Sequence, residues 1–341
     1  MRRLVWTLMV VMVAMVWSAA ASPTIPTRAP SVSPRVVVLQ PGILGFKELH
    51  GLGSYWGEVP RMLRAKGITV VERAPAPVQS PRERAAELAA DVRRVREETG
   101  AGPVVIIAHS QGGIDVRAAL AFEEGFAADV GAVATIASPH HGSAMVDVGE
   151  ALPAPVTDGV LRGVHALFEA DQGLTPRTAD PRGALAGLSN DGARDLGVAM
   201  PHSPVPFFSI GGVTGADVDG ACLGGLWSPP EVTDLAAPTA VWNLWATTAV
   251  RGPHSTDGVV PTSSMRFGTF LGCAPADHGD WLGWPSHPLE EELVWSPTPF
   301  LSALAVALLD VQDVGERAMD YHLPTLAQHA RARVIDAAPA P

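Results

Sequence analysis

Ser110 stands in the run Ala108-His109-Ser110-Gln111-Gly112-Gly113. A buried-type strand, Val104 to Ala108, precedes it, and residues 111–124 follow with helical spacing. A sharp strand-to-helix turn pushes a serine Oγ out above the edge of a sheet, which is the context that gives a G-x-S-x-G pattern its meaning. Strand and helix then lie so close that the positions two before and two after the serine must be small; here they are Ala108 and Gly112. The chemistry open to such a serine is nucleophilic attack on an acyl carbon.

That chemistry needs donors for the charge that develops on the carbonyl oxygen. The amide of Gln111, at the start of the helix, supplies one. The loop after the first strand, Gln40-Pro41-Gly42-Ile43-Leu44-Gly45-Phe46, offers Ile43 as the second. Proline at 41 removes a donor, and Gly42 is free to make the turn. A base and an acid must complete the site. On residue types alone His254, His278, His287 and His322 compete as base, and Asp219, Asp234 and Asp257 as the acid that orients it.

The elements that position these groups alternate. Buried strands are expected at 35–39, 68–71, 104–108, 130–137 and 206–210, and helices at 57–66, 81–98 and 111–124. Pro81 suits a first helical turn and Gly100 a stop. Strands alternating with helices predict an α/β protein with a mostly parallel central sheet and helices on both faces. Val156, Val160, Leu161, Val164, Leu167 and Phe168 fall on one face at helical spacing, with Arg162, His165 and Glu169 elsewhere, as in a mobile helical lid or an ordinary packed helix. Trp227, Trp242, Trp245, Trp281, Trp284 and Trp295 gather late in the chain, as candidates for an acyl pocket or for core packing.

Composition excludes several classes. Lys and Arg total 24 against 35 Asp and Glu, a net charge of −11, so the chain lacks the basic footprint of a nucleic-acid binder. Two cysteines are too few for a disulfide scaffold or a Cys-rich zinc site. Met1-Arg2-Arg3, an apolar run from Leu4 to Trp17 and Ala19-Ala20-Ala21 read as a secretory signal over 1–21, cleaved near Ala21, with an uncleaved N-terminal anchor as the alternative. Residues 22–34 read as a Pro/Ser/Thr linker, and 35–341 as one domain with a cap inserted at about 144–200. In an exported protein Cys222 and Cys273 can pair, closing a loop of about fifty residues worth on the order of 4 kcal/mol; two buried thiols are the alternative.

Residues 36–146 resemble the secreted bacterial triacylglycerol lipases of the Pseudomonas/Burkholderia type, within the α/β-hydrolase superfamily. Three motifs carry this: GILGF at 42–46 with SYWG at 54–57, AHSQGG at 108–113, and SPHHGS at 138–143. The chain departs from the family with Pro41-Gly42 where many lipases have His-Gly, and with Ala108 for a glycine. The resemblance resumes weakly at 255–281, where Asp257-Gly258-Val259-Val260 matches the family's acid motif and His278-Gly279-Asp280 its histidine motif.

The resemblance implies an α/β-hydrolase fold with an inserted helical cap or lid, and a triad in the order Ser110, Asp257, His278. His109 then packs or hydrogen-bonds locally, and His140 and His141 shape the turn after the fourth strand. It implies no cofactor for catalysis. It also implies a structural Ca²⁺ at the histidine loop, with Asp280 as one carboxylate and Asp217, Asp219 or Asp234 as a second; Asp234 is the tentative choice. A dedicated foldase is a further partner that family members often need. The expected activity is hydrolysis of lipid esters at a lipid–water interface. A short-chain carboxylesterase or acyltransferase built from the same parts is the alternative, and a binding protein with a dead site is the alternative of a different class.

Overall fold

The computed structural model describes residues 33–50, 53–143, 146, 153–173, 177–213, 220–222, 255–282 and 296–330. The expected leader, most of the linker, and Asp217, Asp219, Asp234, His254, His287, Trp227, Trp242, Trp245, Trp284 and Trp295 lie outside them. One compact unit runs from Pro34 onward.

Six strands form one parallel sheet: β1 (Val36–Gln40), β4 (Thr69–Glu72), β5 (Val104–His109), β6 (Val130–Ile136), β7 (Phe207–Gly212) and β8 (Thr269–Ala274). Their spatial order is β4-β1-β5-β6-β7-β8, and every neighbouring pair is parallel. A two-stranded antiparallel hairpin, β2 (Glu48–Leu49) with β3 (Gly53–Ser54), follows β1. The first five large strands stand where the β-branched runs place them, within one or two residues. β8 is an addition that the sequence reading did not find.

The helices are α1 (Val59–Ala65), α2 (Pro81–Thr99), α3 (Gln111–Phe122), α4 (Phe126–Asp129), α5 (Ala154–Asp171), α6 (Pro181–Leu188), α7 (Asn190–Ala199), α8 (Pro297–Val314) and α9 (Ala318–Ala330). Helix α2 begins as expected: Pro81 opens it, the Ser80 hydroxyl accepts from Glu83 N, and Gly100 closes it at φ 69°. Alternate residues of each strand serve opposite faces. Val37, Leu39, Val105 and Ile107 pack with Leu63 of α1 and Leu304 and Leu308 of α8. Val36, Val38, Val104 and Ile106 pack with Leu88 and Val92 of α2 and Val116 of α3. The sheet is therefore covered on both sides, as its run of wholly buried strands requires.

Helix α5 corrects one expectation. It forms where the spacing places it, but its inward side is rotated toward His165 and Glu169, so that only part of the apolar stripe, Leu161, Val164 and Phe168, is partly buried. His165 and Glu169 are buried, whereas Val156, Val160 and Leu167 are exposed. Polar bonding outweighs the hydrophobic pattern here. His165 Nδ1 accepts from Val78 N at 3.2 Å, and its Nε2 lies 3.0 Å from the Arg177 carbonyl. Glu169 takes the Arg177 side chain at 2.7 Å and the Arg177 amide at 2.8 Å. Phe168 turns inward, 5.8 Å from the Phe46 ring.

Candidate active site

The chain reverses direction in the sheet after β4: β4 lies on one side of β1, and β5 on the other. Loops leaving the carboxyl ends of β1 and β5 diverge at such a point and leave a crevice. The loop after β1 carries Ile43, and the turn after β5 carries Ser110.

Ser110 sits at φ 55°, ψ −129°, outside the regions an L-residue prefers. That conformation costs on the order of 1–3 kcal/mol and persists because the surroundings fix it. Ser110 N donates to the Ile136 carbonyl at 2.9 Å, tying the turn to the neighbouring strand β6. Close packing explains the small residues. A Cβ on Gly112 would come within 2.5 Å of the Gln40 carbonyl oxygen, and one on Gly42 within 2.7 Å of Ser110 Cβ.

Among the rival bases in the described residues, the structure brings His278 to the serine. Its Nε2 lies 2.9 Å from Ser110 Oγ, and its Nδ1 lies 2.7 Å from Asp257 Oδ2. A carboxylate only accepts, so Nδ1 carries the proton and Nε2 faces the hydroxyl as acceptor. The other Asp257 oxygen accepts from Val259 N at 2.9 Å and Val260 N at 2.8 Å, and the carboxylate side chain is wholly buried. His322 is bound to Asp310 instead, at 2.8 Å, and takes no part.

The two expected oxyanion donors lie on the loop after β1 and at the start of α3. Gly42 N donates to the Tyr55 hydroxyl at 2.9 Å, Leu44 N to the Pro77 carbonyl at 2.7 Å, and Gly45 N to Gly42 O at 3.1 Å. These commitments leave the Ile43 amide between them for a ligand. Gln111 N opens α3, where no intrahelical acceptor exists. Ile43 and Ser110 share the wall of a cavity of about 600 Å³ that is mostly apolar, with Phe46, Phe168 and Leu282 among its lining.

Four supporting residues escaped the sequence reading. Arg84 is fully buried and donates to the carbonyls of Pro41, Gly42 and Ala76 while pairing with Asp115 at 2.8 Å. Tyr55, inside the SYWG segment, joins Gly42 N to His109 Nδ1 at 2.8 Å; burial pushes its pKa up, so it stays protonated. Asp277 accepts from Gly279 N and Asp280 N, both at 2.7 Å, shaping the turn that carries His278; burial raises its pKa. His109 behaves as expected: burial, followed by the nearby His278, holds its pKa well below the usual range, and it packs 4.7 Å from the His278 ring. His140 is likewise buried, bound to Thr135 Oγ1 at 2.8 Å.

The acids of the histidine loop are hydrogen-bonded within the protein. Asp280 Oδ2 accepts from Asp277 N at 2.8 Å, while Asp257 and Asp277 are committed to amides and to His278. Among the described residues no group of three ligand-type side chains could hold a metal ion. The second carboxylate expected, Asp234, lies outside them. Cys222 and Cys273 do form a disulfide, which ties residues 220–222 to β8.

No protein-family model matches the chain. A triacylglycerol lipase of Vibrio cholerae is 26% identical over 263 residues, covering 75% of this chain and 81% of that protein. Triacylglycerol lipase 2 of Saccharomyces cerevisiae is 33% identical over 237 residues, covering 68% of this chain and 63% of its own length. Among solved structures, a metagenomic carboxyl esterase superposes with a TM-score of 0.53 at 21% identity, over 83% of this chain and 77% of that one. With the sheet order and the strand-to-helix turn at Ser110, the chain has the α/β-hydrolase fold and is similar in sequence to triacylglycerol lipases.

Proposed function

We propose that the protein is an exported serine hydrolase that cleaves carboxylic esters of lipids, with triacylglycerols as its substrates. The observation that carries this reading is the continuous relay from Ser110 Oγ through His278 to the buried Asp257, opening into an apolar cavity. Ser110 Oγ attacks the ester carbonyl carbon and its proton passes to His278 Nε2. The carbonyl oxygen, now negative, is held by the amides of Ile43 and Gln111. His278 returns the proton to the leaving alcohol as the C–O bond breaks, giving an acyl-serine. Water then attacks the acyl carbon, His278 accepts its proton, and the acid departs as Ser110 recovers its own.

Export is supported by the leader-like residues 1–21 and by the Cys222–Cys273 bridge, since disulfides persist in oxidising compartments. Dependence on a dedicated foldase belongs to the same proposal, and unaided refolding of the purified chain would remove it. The calcium suggested by the resemblance has no donor set among the described residues and takes no part in the steps above. Hydrolysis of an emulsified long-chain triglyceride, compared with that of a soluble butyrate ester, tests the substrate class. Faster turnover on the emulsion supports the proposal; activity on butyrate alone would reduce the protein to a short-chain esterase.

A further inference from the structure

A second cavity, of about 810 Å³, opens between α3, α7 and the loop that follows β6, and the described linings of the two cavities share no residue. Its wall holds Arg117, His140, Asn190 and Arg194, with Val198 and Met200 supplying apolar surface and no acidic side chain among its lining. Arg194 is answered by Asp191 on the same helix, at 2.7 Å. Arg117 differs. It is 2% exposed, and among the described residues it makes no ion pair and its Nε has no hydrogen-bond partner. Its Nη1 donates to the His140 carbonyl at 2.9 Å, and its guanidinium carbon lies 4.1 Å from the centroid of the Phe267 ring. His140, fully buried beside it, also has an unpartnered nitrogen, Nδ1, since Nε2 is spent on Thr135.

A buried cation is ordinarily paired, because desolvation without a counter-charge is costly. In a chain of net charge −11 carboxylates are plentiful, yet none among the described residues lines the cavity with this arginine. Burial alone lowers the Arg117 pKa to about 10, and Arg117 adds to the burial that holds His140 neutral. The site is thus a preformed positive recess with an apolar margin.

We propose that this cavity is a second binding site, in which Arg117 takes the oxyanion of a small amphiphile whose apolar part lies against Val198 and Met200. A planar guanidinium matches carboxylate and phosphate oxygens alike. A fatty-acid carboxylate and a lipid phosphate are therefore two sources of one chemistry.

Calorimetric titration of the mature protein with octanoate and with octyl phosphate tests this, alongside two variants. Arg117→Met removes the charge. Gly197→Trp fills the cavity mouth from a position where an added Cβ meets nothing within 4 Å. Circular dichroism and thermal unfolding establish that each variant is folded. The expected result is saturable binding to the wild type that weakens by about tenfold or more in both variants. Binding of octanoate alone assigns a carboxylate, and of octyl phosphate alone a phosphate; either supports the site. The proposal is overturned if neither probe binds the wild type saturably, or if folded variants bind within about twofold of it. If Arg117→Met does not fold, Gly197→Trp decides. None of these readings depends on catalysis, so the test stands even if the ester-hydrolase reading fails.

Discussion

Arg84 and Asp115 form an ion pair of 2.8 Å in which both side chains are wholly buried, and the same guanidinium holds the carbonyls of Pro41 and Gly42. The pair thereby fixes the loop that presents the Ile43 amide. Arg84→Met leaves the Asp115 carboxylate buried without its cation and is expected to destabilise the fold by about 3–5 kcal/mol. Arg84→Met with Asp115→Leu should recover much of that stability, yet turnover should stay low because the loop is no longer held. Thermal unfolding and kcat measured on both variants check this; full recovery of kcat in the double variant would show that the pair does not position the donor.

The triad makes a graded prediction. Asp257→Asn keeps the shape but disfavours the tautomer with a proton on His278 Nδ1, and kcat should fall by roughly 10⁴ with little change in KM. Tyr55→Phe removes the bond to Gly42 N and should cost about tenfold in kcat by loosening the same loop. Steady-state kinetics on a soluble ester read both. An Asp257→Asn enzyme of near-normal kcat would remove Asp257 from the site.

Part of this site is legible in the residues because the turn that carries the serine is a local motif. The β-branched runs at 35–39 and 104–108 fix two adjacent strands, and the small residues around Ser110 mark the strand-to-helix turn, although the groups they make room for, Gln40 and Ser138, come from distant stretches of the chain. His278 and Asp257 needed the family resemblance, since other histidines and acids competed on residue type alone. Arg84 and Asp115 were unreadable. Charged residues on amphipathic helices ordinarily face water, and only the tertiary fold brings these two together under the loop. Helix α5 misled for a related reason: its apolar stripe is real, but His165 and Glu169 find buried partners in Val78 and Arg177, and that bonding sets which face is inward. Helix α8 is buried on most of its surface and shows no clear polar stripe.

Acid should weaken the fold through its buried histidines. His109 and His140 have folded pKa values well below the usual 6.5. Below about pH 6.5 the unfolded chain therefore binds more protons than the folded one, so stability rises with pH through this range and falls as pH drops toward 5. Asp277, with its raised pKa, acts in the opposite sense near the carboxylate range. Unfolding midpoints measured across about pH 5 to 8 should decline on the acid side, and His140→Gln should flatten that decline. A midpoint independent of pH in this interval contradicts it.

The Cys222–Cys273 bridge, with a sequence separation of 51, ties down the strand at the edge of the sheet. Cys222→Ser should cost about 2–5 kcal/mol of stability. Denaturant unfolding with and without reductant checks it: reductant should lower the midpoint of the wild type and leave the variant unmoved.

A covalent acyl intermediate on Ser110 underlies every step of the proposed reaction. Intact-mass and peptide analysis after treatment with an alkyl fluorophosphonate tests for a nucleophile at that position. One adduct per chain is expected, on the peptide carrying Ser110, formed slowly or not at all in His278→Ala and absent in Ser110→Ala. A folded wild-type protein that takes up no adduct, or takes it up on another residue, would contradict it.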